Sequence, residues 1–111
     1  MLIGLIDDKD YGIEQIKKSV PNNIKYKFKH FFSYKDAIKE TFDILFLDYY
    51  LDKDGVKGKE VIQLMEANII IGFSSVPECN NILLIKGADY GITKLKSDDN
   101  EDLNKLMKTI L

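Results

Sequence analysis

The sequence has little that would staple, anchor or subdivide it. It holds one cysteine, Cys79, so no internal disulfide framework exists, and there is no CxxC pair for a metal or redox site. That usage suits a reducing, cytoplasmic setting. It holds two prolines and no Pro/Gly/Ser-rich stretch, so no linker divides its 111 residues, a length that fits one ordinary domain over 1–111. The opening MLIGLIDD has no basic flank, and its apolar run is too short for a signal peptide or a membrane span. No repeat or low-complexity segment is present. Nor is there a large excess of one charge: the net charge is −2, which argues against direct nucleic-acid binding. Lys25, Lys27, Lys29 and His30 form one basic run, and apolar residues interleave it as on the wet side of a strand.

What is present is a core and an alternation. Apolar residues make up 45% of the chain and charged residues 31%, the balance of a soluble globular fold. Leu2 to Ile6 and Ile44 to Leu47 are short apolar runs, as is Ile69 to Phe73; such runs belong to strands buried on both faces of a parallel sheet. Ile24 to Phe32 alternates with the period of a half-exposed strand, and Tyr90 to Thr93 reads as a short last strand. Between them, helical spacing predicts Tyr11 to Val20, a short helix capped by Ser33 and reaching about Thr41, and Glu60 to Ala67 with Val61, Leu64 and Met65 inward. A fourth helix opens at Ser75-Val76-Pro77-Glu78, with Ser75 as its cap, and closes at Gly87. Asp98 to Leu111 is amphipathic, with Leu103, Leu106, Met107 and Ile110 on one side. Five strands alternating with five helices imply an α/β, doubly wound, flavodoxin-like sheet of parallel strands in the order 2-1-3-4-5.

In such sheets ligands sit at the carboxyl ends of the strands. The first strand ends in Asp7 and Asp8, the third in Asp48, the fourth in Ser74 and Ser75, and the fifth in Thr93 and Lys94. Three crowded carboxylates need a cation or raised pKa values. Hard oxygen ligands without Cys or His favour Mg²⁺ over Zn²⁺. A lysine and a hydroxyl opposite would suit a phosphoryl group, whose oxygens are negative and accept hydrogen bonds. The chemistry expected is phosphoryl transfer.

Asp7-Asp8, DILFLDYYLDKDGVKG around Asp48, IIIGFSS and GADYGITK together resemble the successive signatures of bacterial response-regulator receiver domains. The resemblance runs from residue 3 to residue 94, and the last helix completes the domain. It implies that Asp48 is the phosphoacceptor. Asp8 is the direct metal ligand, with Asp7 acting through water or as a second ligand, and the Tyr50 backbone carbonyl is the third. It assigns Ser74 as the hydroxyl that meets the phosphoryl oxygen and Lys94 as its lysine partner. It further implies Mg²⁺ as cofactor, a histidine kinase or phosphotransfer protein as donor, and a downstream protein bound at the face of helix 4, strand 5 and helix 5. The chain ends at Leu111 without a DNA-binding domain, so output is expected through protein contacts, from a monomer or weak dimer with no membrane association and no enzymatic role of its own.

Bland readings stand beside these. Lys96 is a rival to Lys94, which the preceding GADYGIT favours. Tyr49, Tyr50 and Phe73 are expected to pack, and His30 and Cys79 to be structural. Asp52-Lys53-Asp54-Gly55 resembles part of a calcium loop, but in that register Tyr50 and Val61 stand at the first and last ligand positions and supply no carboxylate. The chain also departs from the receiver pattern. Leu95 follows Lys94, where the family usually has proline. Gly91 occupies the position of the aromatic that usually reports phosphorylation, leaving only the neighbouring Tyr90, offset by one residue to the other face. The stretch from Asp48 to Lys94 is a little short, with the shortening expected after Met65 and in the fourth helix. Two other functions compete. One is a degenerate receiver that docks a partner constitutively. The other is a small Mg²⁺-dependent phosphohydrolase, disfavoured because Tyr50 stands where such an enzyme needs a second carboxylate as acid or base.

Overall fold

Leu2–Ile6 forms the first strand, β1, and its residues point alternately to the two faces of the sheet. Ile3 and Leu5 go to one side and Ile6 to the other, all fully buried. A computed structural model describes all 111 residues of the chain. After β1 come α1 (Ile13–Ser19), β2 (Lys27–Phe31), α2 (Tyr34–Ala37) and β3 (Thr41–Leu47). A two-stranded hairpin, β4 (Tyr50–Leu51) with β5 (Val56–Lys57), leads into α3 (Gly58–Val61) and a 3-10 turn, Ile62–Leu64. The chain ends with β6 (Glu66–Gly72), α4 (Pro77–Lys86), β7 (Tyr90–Gly91) and α5 (Glu101–Ile110).

The main sheet has five parallel strands in the order β2-β1-β3-β6-β7. Setting the hairpin aside, this is the expected flavodoxin-like order 2-1-3-4-5 with five helices. One face packs Ile3, Leu5, Ile44, Phe46, Ile71 and Phe73 against Ile16 of α1 and against Leu103 and Met107 of α5. The other packs Ile6, Phe42, Leu45 and Leu47 against α3 and α4 through Val61, Cys79 and Leu83. β2, at the edge, keeps Lys27 and Lys29 in water while Phe28 packs inward, as its alternation requires. No helix is long and apolar enough to cross a membrane.

Four elements differ from the sequence reading. The second helix, expected to reach about Thr41, ends at Ala37, and Thr41 opens β3. The helix expected over Glu60–Ala67 is cut to α3 and the 3-10 turn, and Leu64 is exposed. Residues from Glu66 onward join the sheet instead, where Glu66 pairs with Thr41 and accepts its hydroxyl at 2.9 Å. α4 runs a full ten residues, Pro77–Lys86. The last strand stops at Gly91, because the carbonyls of Ile92 and Thr93 accept from Asn80 and Asn100 side chains. Ser75 is exposed and caps nothing: Val76 is the N-cap of α4, and its N–H donates to the Ser74 hydroxyl.

Candidate functional site

The register of the sheet brings the polar strand ends together. Ile6 lies beside Leu47, and Leu47 beside Gly72, which pairs with Gly91. The chain leaves these rungs in step: Asp48 N–H donates to the Ile6 carbonyl at 3.0 Å, Phe73 N–H to Leu47 at 2.9 Å, and Lys94 N–H to Ser74 at 2.9 Å. Asp7, Asp48, Ser74 and Lys94 consequently stand along one edge, all buried.

Asp7, Asp8 and Asp48 each offer a carboxylate oxygen, and these atoms lie within 4.8 Å of one another. Asp7 is 0% exposed; its Oδ1 accepts from Lys9 N–H, and its Oδ2 receives the Lys94 ammonium at 2.5 Å. Asp48 Oδ1 accepts from Tyr49 N–H at 2.8 Å, while its Oδ2 lies 3.4 Å from Lys94 Nζ. Asp8 Oδ2 accepts from the N–H groups of Asp52 and Lys53 in the hairpin loop. Its other oxygen, Oδ1, is buried without any hydrogen-bond partner. The same loop is tied back to α2, since Asp54 accepts from the Ser33 hydroxyl and Tyr34 N–H. His30 bonds the Asp7 carbonyl at 2.8 Å, so it braces the end of β1.

The electrostatics follow from three carboxylates facing one buried ammonium, that of Lys94, with the largely exposed Lys9 ammonium 3.8 Å from Asp8 Oδ1. Burial raises the Asp48 carboxyl from 3.8 to about 7, with the Asp7 charge adding to the rise and Lys94 and the Tyr49 N–H opposing it. For Lys94, burial alone lowers the pKa, but Asp48 and Asp7 outweigh it and the net shift is upward. This site holds more negative charge than one lysine balances. Together with the orphaned Asp8 oxygen and an all-oxygen donor set, that makes the cluster fit for a metal ion.

The remaining expected residues fall at different distances from this centre. The Ser74 hydroxyl accepts from Val76 N–H and donates to nothing in the chain. Tyr50 opens the hairpin with an exposed side chain, whereas Tyr49 and Phe73 are packed. Lys96 is exposed, so Lys94 is the lysine of the cluster. Tyr90 is 39% exposed, and a Cβ on Gly91 would come within 3.2 Å of Asn80 Cβ. Asn80 itself is one of the residues that sequence patterns missed. Its Oδ1 accepts from Ser74 N–H at 2.8 Å, and its Nδ2 donates to the carbonyls of Ser74 and Ile92, both at 3.0 Å. Gln15 and Asn100 were missed as well. The one sequence signal for Gln15 is an uncharged polar residue, four before Ser19, on the buried side of α1.

No protein-family model matches the chain, and a search of the curated proteins finds no match.

Proposed function

We propose that this chain is a receiver domain that takes a phosphoryl group on Asp48 from a histidine kinase or a phosphotransfer protein. One observation carries the reading: a buried Asp48 carboxylate faces a buried Lys94 ammonium at 3.4 Å on the rim of an acidic cluster. In the transfer, an Asp48 oxygen attacks phosphorus. The new O–P bond forms as the donor's bond to phosphorus breaks, and that electron pair leaves with the donor, giving an acyl phosphate. Lys94 is close enough to pair with a phosphoryl oxygen, and the Ser74 O–H, which has no acceptor in the chain, is free to donate to another. Asp7, Asp8 and Asp48, with the Tyr50 carbonyl, would hold Mg²⁺. When bound, that ion neutralises charge on the phosphoryl group and lets Asp48 ionise at neutral pH.

Under this reading the signal leaves through protein contacts at α4, β7 and α5, and the protein works in the cytoplasm. A second reading, a constitutive docking module, draws on Gly91 in place of an aromatic relay and on Ile85 of α4, which is 82% exposed.

Intact mass after incubation with Mg²⁺ and acetyl phosphate separates the readings. A single phosphoryl adduct, absent in Asp48→Asn, is the expected result. No adduct and no Mg²⁺ affinity would favour the docking module, and rapid multiple turnover of phosphate esters would indicate a hydrolase.

A further inference from the structure

Lys94 crosses to the carboxylates from a loop with no proline to stiffen it. What holds that loop is the start of α1. Gln15, 0% exposed, uses its carboxamide as a second backbone: Oε1 accepts from Leu95 N–H at 3.0 Å, and Nε2 donates to the Leu95 carbonyl. Asn100, also buried, donates from Nδ2 to Gln15 Oε1 and to the Thr93 carbonyl, both at 3.0 Å, while its Oδ1 caps α5 through Leu103 N–H. The peptide groups on both sides of Lys94 are thus fixed by two side chains, Gln15 from the far end of the chain and Asn100 from the start of α5. The lysine side chain is fixed as well. Its aliphatic stem lies over Gly12, where a Cβ would fall 3.1 Å from Lys94 Cδ and 2.9 Å from the Phe73 ring. Its ammonium sits 4.6 Å from the centre of the Tyr11 ring.

We infer that Tyr11, Gly12 and Gln15, joined by Asn100, form a cradle that presets the Lys94 ammonium against Asp7 and Asp48, with Gln15 as its positioning residue. A lysine side chain has four rotatable bonds and loses much rotamer freedom when fixed. The cradle meets that loss during folding rather than during the reaction, which is how preorganised charge becomes effective. Gly12 is then required by a close approach, and the Tyr11 ring supplies a cation-binding face. The consequence for phosphoryl transfer rests on the receiver reading; the placement of Lys94 does not.

Two readouts keep these apart. The first is the Lys94 ammonium in ¹⁵N NMR: enclosed as it is, it should give a slowly exchanging signal, assigned by its loss in Lys94→Ala. Gln15→Met, similar in size but without the amide, should broaden or abolish that signal while amides of the distant β2 edge keep their shifts. The second is the rate of Asp48 phosphorylation by acetyl phosphate at saturating Mg²⁺. Gln15→Met should slow it on the order of tenfold or more. It should slow it no further in a Lys94→Ala background, because a positioning residue acts only through the group it positions. Tyr11→Leu, at a partly exposed site that threatens the fold less, should slow it roughly two- to fivefold. An unchanged ammonium signal in Gln15→Met, or equal slowing with and without Lys94, would overturn the cradle. If wild-type protein takes no phosphoryl group, the receiver reading fails and the ammonium signal alone decides the cradle.

Discussion

After β6 the chain turns at Ser74, whose N–H and C=O are both bonded by the Asn80 carboxamide of α4; after β7 it turns at Leu95, whose N–H and C=O are both bonded by the Gln15 carboxamide of α1. The local solution is similar: a buried side-chain amide bonds both backbone groups of the turning residue, although the Ser74 carbonyl also keeps Lys94 N–H. The two anchors differ. α1 packs on the sheet and alongside α5, with Ile16 in one cluster with Leu103 and Met107. α4 lies on the other face, and its outer side leaves Leu84 and Ile85 in water, with Tyr90 of the neighbouring β7 exposed as well. The Lys94 loop is therefore fastened to a wall packed on two sides, and the Ser74 loop to a helix with one free side. If a phosphoryl oxygen draws the Ser74 hydroxyl inward, the displacement has a path through Asn80 into α4, whereas Lys94 is the fixed post against which it pulls.

The largest test of this contrast removes the charge between the two loops. Because the Asp48 carboxyl is raised to about 7 in the fold, the folded state binds its proton more tightly than the unfolded chain does. Its stability contribution is greatest at acid pH, falls as pH rises through the interval from 3.8 to about 7, and is level above it. Asp48→Asn should consequently match wild type near pH 4 and exceed it at pH 8 by on the order of 3 kcal/mol in urea denaturation without divalent ions. If the cluster takes Mg²⁺ as proposed, the added ion should narrow the gap by stabilising wild type more than the variant; an equal gap at both pH values would contradict a raised Asp48 pKa.

Asn80→Ala comes next. It leaves Ser74 N–H and the Ile92 carbonyl without partners, while the Ser74 carbonyl keeps Lys94 N–H, and about 1–3 kcal/mol of stability should go with them. Under the proposed receiver reading, phosphorylation of Asp48 should survive in the folded fraction, but amide exchange in α4 should stop responding to it. A response kept in Asn80→Ala would break the asymmetry between the loops. Gly91→Ala is the mildest. Its Cβ meets Asn80 Cβ at 3.2 Å and Leu84 Cδ1 at 3.4 Å, so a loss of about 1 kcal/mol is expected. Shift changes in its spectrum should fall on α4 and leave α1 untouched.

Much of the fold was readable because parallel strands are buried on both sides and so appear as unbroken apolar runs. Leu2–Ile6 and Ile44–Leu47 stop at the carboxyl-terminal edge of the sheet, which also made Asp7, Asp8, Asp48 and Lys94 legible as a row. The third helix misled because Val61, Leu64 and Met65 do follow helical spacing. Pairing of Glu66 and Ala67 with Thr41 and Phe42 overrode it, and a partner strand that distant leaves no mark on a local pattern. Ser75 had the capping spacing, yet the Ser74 hydroxyl took the bond to Val76. The clamps were invisible for a similar reason: Gln15, Asn80 and Asn100 bind backbone groups, and any residue type presents those.

The ion pair between Asp7 and Lys94 spans 87 positions. A chain made from its N-terminus brings out Asp7, Asp8 and Asp48 well before Lys94, the buried lysine that faces two of them. Contacts so far apart in sequence close late in folding, because loop entropy must be met first. Until β7 docks, the growing sheet carries an uncompensated knot of negative charge at its centre. Closing the last strand thus also brings the one buried ammonium of the cluster onto Asp7, at the end of the first.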